Sequence, residues 1–138
     1  MADARTVLVV EDNPELRGAI EQFLVQKGYR VVSTGDGLRA VQLAEQQPVD
    51  VVLVDLLIPG QSGFQVTLGL KSRFGDGVTV VVTSSVASPA HRDYAFAAGA
   101  QAFVPKPFAV PELVDAVAGL CPPGCPRPAP RPPVRIGA

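Results

Sequence analysis

The sequence predicts an α/β protein: a five-stranded parallel, doubly wound sheet with helices on both faces. Three observations carry this expectation. Short apolar runs alternate with amphipathic segments of helical period along most of the chain, joined by only a few residues. Two of the runs, Thr6 to Val10 and Asp50 to Val54, lack polar alternation, which marks strands buried on both faces. Each runs into acid, Glu11 and Asp12 after the first and Asp55 after the second, and a carboxylate there is tolerable only where the strand emerges at a rim. In open parallel sheets that rim is where ligands bind.

The first strand, Thr6 to Val10, is followed by Asn13-Pro14 and a helix with Leu16, Ala19, Ile20, Phe23 and Leu24 on its inner face, stopped at Gly28. Tyr29 to Ser33 forms a short strand. Asp36-Gly37 opens a second helix with Leu38, Val41 and Ala44 inward, ending before Pro48. The third strand runs into Asp55, Pro59-Gly60 turns the chain, and a helix spans about Gly63 to Phe74 before Gly75. Val78 to Val82 is the fourth strand, closed by Thr83. Ser88-Pro89 pairs a cap with a first-turn proline for a fourth helix, which ends at Gly99. Gln101 to Val104 is the last strand, with Lys106 just beyond it. Pro111-Glu112 suits the first turn of a final helix whose Leu113, Val117 and Leu120 face inward. Parallel neighbours need helical crossovers of one hand, which puts helices on both faces.

At 138 residues, 47% hydrophobic and 18% charged, the chain has the size and composition of one soluble domain. Seven of its 14 prolines lie in residues 121–138, a stretch with no apolar period. The expected organisation is therefore a folded domain over 1–120 and a disordered Pro/Arg-rich tail over 121–138. Residues 1–120 hold nine Lys/Arg against thirteen Asp/Glu, whereas the tail holds Arg127, Arg131 and Arg135 and no acid. A body with that balance is not suited to binding nucleic acid. Cys121 and Cys125 fall in the tail, so the body is expected to hold no cysteine, no disulfide framework and no structural zinc. No apolar stretch approaches a membrane span, and a soluble, cytoplasmic location is the expectation.

Taken singly, the acids have a simpler reading: Glu11 and Asp12 precede a helix N-terminus, where anions are favoured, and Asp55 opens a turn. Taken together with Thr83 and Lys106 at the remaining strand ends, they place carboxylates, a hydroxyl and an ammonium on one rim. The motifs Val-Val-Glu11-Asp12-Asn13, Val-Asp55-Leu-Leu-Ile-Pro59-Gly60, Val-Thr83-Ser84, Ala98-Gly99-Ala100 and Lys106-Pro107-Phe108 then occur in order over about residues 5–120. In these the chain resembles the receiver domains of bacterial two-component response regulators, in particular the stand-alone, chemotaxis-Y-like kind.

That resemblance implies a flavodoxin-like fold with strand order 2-1-3-4-5. It implies that Asp55 is the phosphoacceptor, taking a phosphoryl group from a sensor histidine kinase or a histidine phosphotransfer protein. Mg²⁺ would be held by Glu11, Asp12, Asp55 and the backbone carbonyl of Leu57, an all-oxygen set suited to that ion. Lys106 would stand opposite as a point charge, Thr83 would donate to a phosphoryl oxygen, and Thr83 and Phe103 would act as the switch. A cis bond before Pro107 would aim Lys106 inward. The output, with no effector domain in this chain, would be a separate downstream protein, a downstream phosphotransferase, or competition for phosphate from a shared kinase, without nucleic acid or membrane contact by this chain.

The chain departs from the family pattern at Ser62, where an acid or Asn is common, and at Phe103, where a Tyr often stands. Leu57 and Ser85 occupy the positions that the resemblance links to acyl-phosphate lifetime. His91, the only histidine, is expected on a solvated helix face with no part in phosphate chemistry. Two other functions share these residues. A Mg²⁺-dependent phosphohydrolase would want an acid two residues after its nucleophile, and position 57 is Leu. A pseudo-receiver would bind partners without phosphorylation, and the intact Glu11, Asp12, Asp55, Thr83 and Lys106 argue against it.

Overall fold

The computed structural model describes residues 4–86 and 88–123. Its elements are β1 (Thr6–Val10), α1 (Pro14–Lys27), β2 (Arg30–Thr34), α2 (Gly37–Gln46), β3 (Val51–Asp55), α3 (Gly63–Phe74), a 3₁₀ turn (Gly75–Gly77), β4 (Thr79–Ser84), α4 (Pro89–Ala97), β5 (Ala102–Pro105) and α5 (Val110–Leu120). The five strands are parallel in the order β2-β1-β3-β4-β5. The doubly wound α/β sheet and its 2-1-3-4-5 order are therefore as expected.

Alternation along each strand divides the core into two layers, because successive side chains leave a strand on opposite faces. Leu8, Val10, Val52, Val54, Val80 and Val82 meet Ala40 and Leu43 of α2, Val66 and Leu70 of α3 and Ala95 of α4. Val7, Val9, Val51, Leu53 and Val81 meet Ile20 and Leu24 of α1 and Leu113, Val114 and Val117 of α5. A strand sandwiched between two apolar layers has no solvated face, which explains the uniformly apolar runs.

Local chemistry sets the helix starts. The Asn13 side chain accepts from Glu15 N and Leu16 N at 3.0 and 3.2 Å, and Ser62 and Gln65 form a reciprocal capping box. Two glycines allow the segment after β3 to close tightly. A Cβ on Gly37 would lie 2.3 Å from Gln61 O, and one on Gly63 would lie 2.7 Å from Asp55 O. With the Gly37 amide donating to Pro59 O at 2.9 Å, the β3–α3 connection is braced on the N-terminus of α2, next to the rim.

Several residue-level expectations are corrected. β2 begins at Arg30 and β5 at Ala102, one residue later than periodicity suggests, since Tyr29 and Gln101 belong to the preceding turns. In α2 the inward stripe is Gly37, Ala40, Leu43 and Ala44, while Leu38 is exposed; Phe23 and Leu120 are likewise partly exposed at the margins of their stripes. Cys121 is not part of a tail: it is 8% exposed, packs in the α1/α5 layer, and its carbonyl accepts from Tyr29 Oη at 2.6 Å. A thiol behaves as a small apolar group, and here it helps cover the foot of the sheet. The Arg5 amide also donates to Pro123 O at 3.3 Å, carrying the packed chain past Leu120. Cys125 and residues 124–138 lie outside the described residues.

Candidate functional site

Five of the sequence-predicted residues emerge at the C-terminal rim of the sheet because their four strands are in register. Val10 pairs with Val54, Asp55 with Thr83, and Thr83 with Val104, so the ends of β1, β3, β4 and β5 stand side by side. Glu11, Asp12, Asp55, Thr83 and Lys106 follow from those ends. Glu11 is 3% exposed and Asp55 6%, whereas Asp12 is open to solvent.

Lys106 bridges the two buried acids. Its Nζ donates to Glu11 Oε1 and to Asp55 Oδ2, both at 2.8 Å. The Lys106–Pro107 peptide bond is cis. The Leu57 amide donates to the other Asp55 oxygen, Oδ1, at 3.1 Å, and the Leu56 amide donates to Thr83 O at 2.8 Å, tying the end of β3 to β4. Leu57 itself is 57% exposed at the mouth of the site. Phe103 is partly buried against the layer containing Val82, on the strand next to Thr83.

The electrostatics are those of an incompletely neutralised anionic pocket. Burial, then the Asp55 hydrogen bond and charge, raise the Glu11 carboxyl to about 7 despite Lys106. Burial works to lower the Lys106 ammonium, but hydrogen bonds and charges from Asp55 and Glu11 outweigh it and its pKa is raised. Glu11 Oε2 is buried without a hydrogen-bond partner among the described residues. Ligand atoms of Glu11, Asp12 and Asp55 lie within 4.8 Å of one another. A buried carboxylate oxygen without a partner, beside two more carboxylates, is an oxygen donor set that a hard divalent cation fits.

A pH dependence follows from the Glu11 shift. Its folded pKa, about 7, lies above the ordinary 4.5, so between these values the folded state holds more proton than the unfolded chain. Stability of the cation-free protein is expected to be greatest below pH 4.5 as far as Glu11 is concerned, and to fall as pH rises through 7. The full effect is at most about 3 kcal/mol. Urea midpoints in EDTA between pH 5 and pH 8 check it; the decline should be lost in Glu11→Gln.

Two residues lie differently from expectation or escaped it. His91 is not fully solvated: its ring stacks on Phe64 with centroids 6.4 Å apart, and its Nδ1 is hydrogen-bonded to Ser88 Oγ. Arg17, unnoticed in the sequence, donates from Nη1 to Glu11 O at 2.7 Å. Its only sequence signal is a long cation placed near the start of the helix that follows the acidic pair.

Such a rim, on such a sheet, defines a class: a parallel α/β domain with an acidic pocket at its strand ends. Residues 7–118 match the family of response regulator receiver domains. The chain belongs to that family, whose members are the receivers of two-component signal transduction. It is 32% identical over 107 residues to the transcriptional activator protein PfeR of Pseudomonas aeruginosa, an alignment covering 78% of this chain and 34% of PfeR. It is 34% identical over 109 residues to the probable transcriptional regulatory protein TcrX of Mycobacterium tuberculosis, covering 79% of this chain and 46% of TcrX. The chain thus spans between a third and a half of the length of these curated relatives. In fold it matches a CheY-like response regulator receiver domain protein from Methanospirillum hungatei, with a TM-score of 0.79, 20% identity, and coverage of 86% of this chain and 94% of that one.

Proposed function

We propose that this chain is a phosphorylation-dependent switch of a two-component phosphorelay, with Asp55 as phosphoacceptor. One carboxylate oxygen of Asp55 attacks the phosphorus of a phosphohistidine on a sensor kinase or histidine phosphotransfer protein. The P–N bond breaks, the imidazole leaves with a proton from solvent, and an aspartyl phosphate forms. The observation that carries this reading is the shared Lys106 ammonium between Glu11 and Asp55, with Glu11 Oε2 left unpartnered beside Asp12.

Glu11, Asp12 and Asp55, with the Leu57 carbonyl, are the residues that would hold Mg²⁺, which when bound neutralises charge on the phosphoryl oxygens. The chain supplies the rest by positioning. The Leu57 amide orients the Asp55 carboxylate, the Lys106 ammonium offers a cation to the incoming phosphoryl group, and the Thr83 hydroxyl donates to one of its oxygens. Engagement of Thr83 draws its loop inward and biases Phe103, so that a downstream protein reads an altered face.

Incubation with Mg²⁺ and acetyl phosphate, followed by intact-mass measurement, tests the proposal. One persistent phosphoryl group on Asp55, with a melting temperature raised by millimolar Mg²⁺, supports a switch. Continuous phosphate release would indicate a phosphohydrolase, and absence of any labelling a pseudo-receiver that binds partners without phosphorylation.

The side chain of Leu57 has no polar group with which to orient a hydrolytic water. The acyl phosphate is therefore expected to decay slowly, and Leu57→Asn to speed phosphate loss by about an order of magnitude. Decay of the labelled protein after donor removal measures it, and an unchanged or slower rate contradicts the assignment.

A further inference from the structure

We propose that Arg17 is a positioning residue for the acidic pocket, holding the Glu11–Asp12 backbone in the geometry that binds a divalent cation. This rests on the reading of Glu11, Asp12 and Asp55 as a Mg²⁺ site. Glu11 lies at the point where β1 gives way to a loop, and its peptide is held on both sides. Its amide donates to Thr34 O at 3.1 Å, and its carbonyl accepts from Arg17 Nη1 at 2.7 Å. Arg17 itself is fixed by α1, its amide donating to Asn13 O at 2.9 Å.

The loop between β2 and α2 closes over this contact. A Cβ on Gly35 would lie 3.0 Å from Arg17 Nη1, 3.5 Å from Asp12 Cα and 3.6 Å from Glu11 O. Gly35 thus leaves room for the guanidinium, and the guanidinium joins α1, the end of β1 and the following loop. Ligand geometry tolerates little error, and groups behind the ligands commonly govern affinity by orienting them. A planar guanidinium on a helix is a stiff support for a carbonyl.

The position has a second physical consequence, of opposite sign. A cation this close to the acids repels a metal ion, so if charge alone mattered, removing Arg17 would tighten Mg²⁺ binding. If Arg17 acts by positioning, removing it weakens binding. The two accounts are separated by direction.

The test is a Mg²⁺ titration of the full 138-residue chain, read by amide NMR shifts of Glu11 and Asp12 and requiring no phosphoryl donor. Arg17→Ala is expected to raise the Mg²⁺ Kd about tenfold. Arg17→Lys, which keeps the charge and part of the reach, should recover some of the loss, and Gly35→Ala, which crowds the guanidinium, should weaken binding to an intermediate degree. An Arg17→Ala Kd that is unchanged or lower, with wild type binding normally, overturns the positioning role alone. Wild-type protein that shows no Mg²⁺-dependent shifts overturns the site reading and this proposal with it. Should Arg17→Ala fail to fold, Arg17→Lys and Gly35→Ala decide the question: a Kd equal to wild type in both overturns the proposal.

Discussion

Asp55→Asn is expected to abolish phosphoryl incorporation altogether. The amide keeps nearly the same volume and can still accept from the Leu57 amide, which now meets Asp55 Oδ1 at 3.1 Å, but it is not a competent nucleophile toward phosphorus. The same substitution has a second readout. The Asp55 hydrogen bond and charge are, after burial, what hold the Glu11 carboxyl near 7, so their removal lets that value fall back toward 4.5. The stability decline between pH 5 and pH 8 should shrink accordingly. Intact-mass measurement after acetyl phosphate treatment checks the first effect and urea unfolding in EDTA the second. A variant that still acquires a phosphoryl group places the acceptor elsewhere.

Lys106→Ala is expected to be the most disruptive change to the cation-free pocket. Its ammonium is the charge partner of two buried carboxylates, and removal of one member of a buried pair strands the other. Lys106 is 20% exposed, so solvent moderates the effect, and a loss of about 2–3 kcal/mol at pH 8 is expected. The loss should be smaller at pH 5, where Glu11 is protonated, and smaller again in millimolar Mg²⁺. Removal of a cation from the phosphoryl site should also slow labelling by about 100-fold. Equal destabilisation at both pH values would show that Lys106 acts through packing of its stem rather than through charge.

The sheet and its chemistry-bearing ends were legible for a physical reason: periodicity and strand-terminal acids are local properties. Residues such as Val52 and Val80 need no partner to announce a strand buried on both faces, and Asn13, Ser62 and Ser88 cap helices through contacts three residues long or shorter. The order of the strands came from the likeness of five motifs to a known family, since pattern alone does not rank parallel neighbours.

Errors fell where a boundary depends on distant packing. Leu38, Phe23 and Leu120 have the right spacing to be inward, yet the stripe that meets the sheet is set by how each helix is rotated against it. Cys121 falls in a proline-rich stretch with no apolar period, and its burial in the α1/α5 layer, with Tyr29 closed onto its carbonyl, shows that the core extends there.

What the sequence by itself determined was which residues could do chemistry: three acids, a hydroxyl and an ammonium, gathered at four strand ends. Tertiary structure decided their charge states and pairings. Lys106 meets Glu11 across 95 residues and Asp55 across 51, and no local pattern says that one ammonium serves both. Nor does any pattern show that one oxygen of Glu11 is buried without a partner among the described residues, or that Arg17 supports its carbonyl. Coulomb energy and desolvation depend on distance and burial in three dimensions, and these exist only once the strands lie side by side.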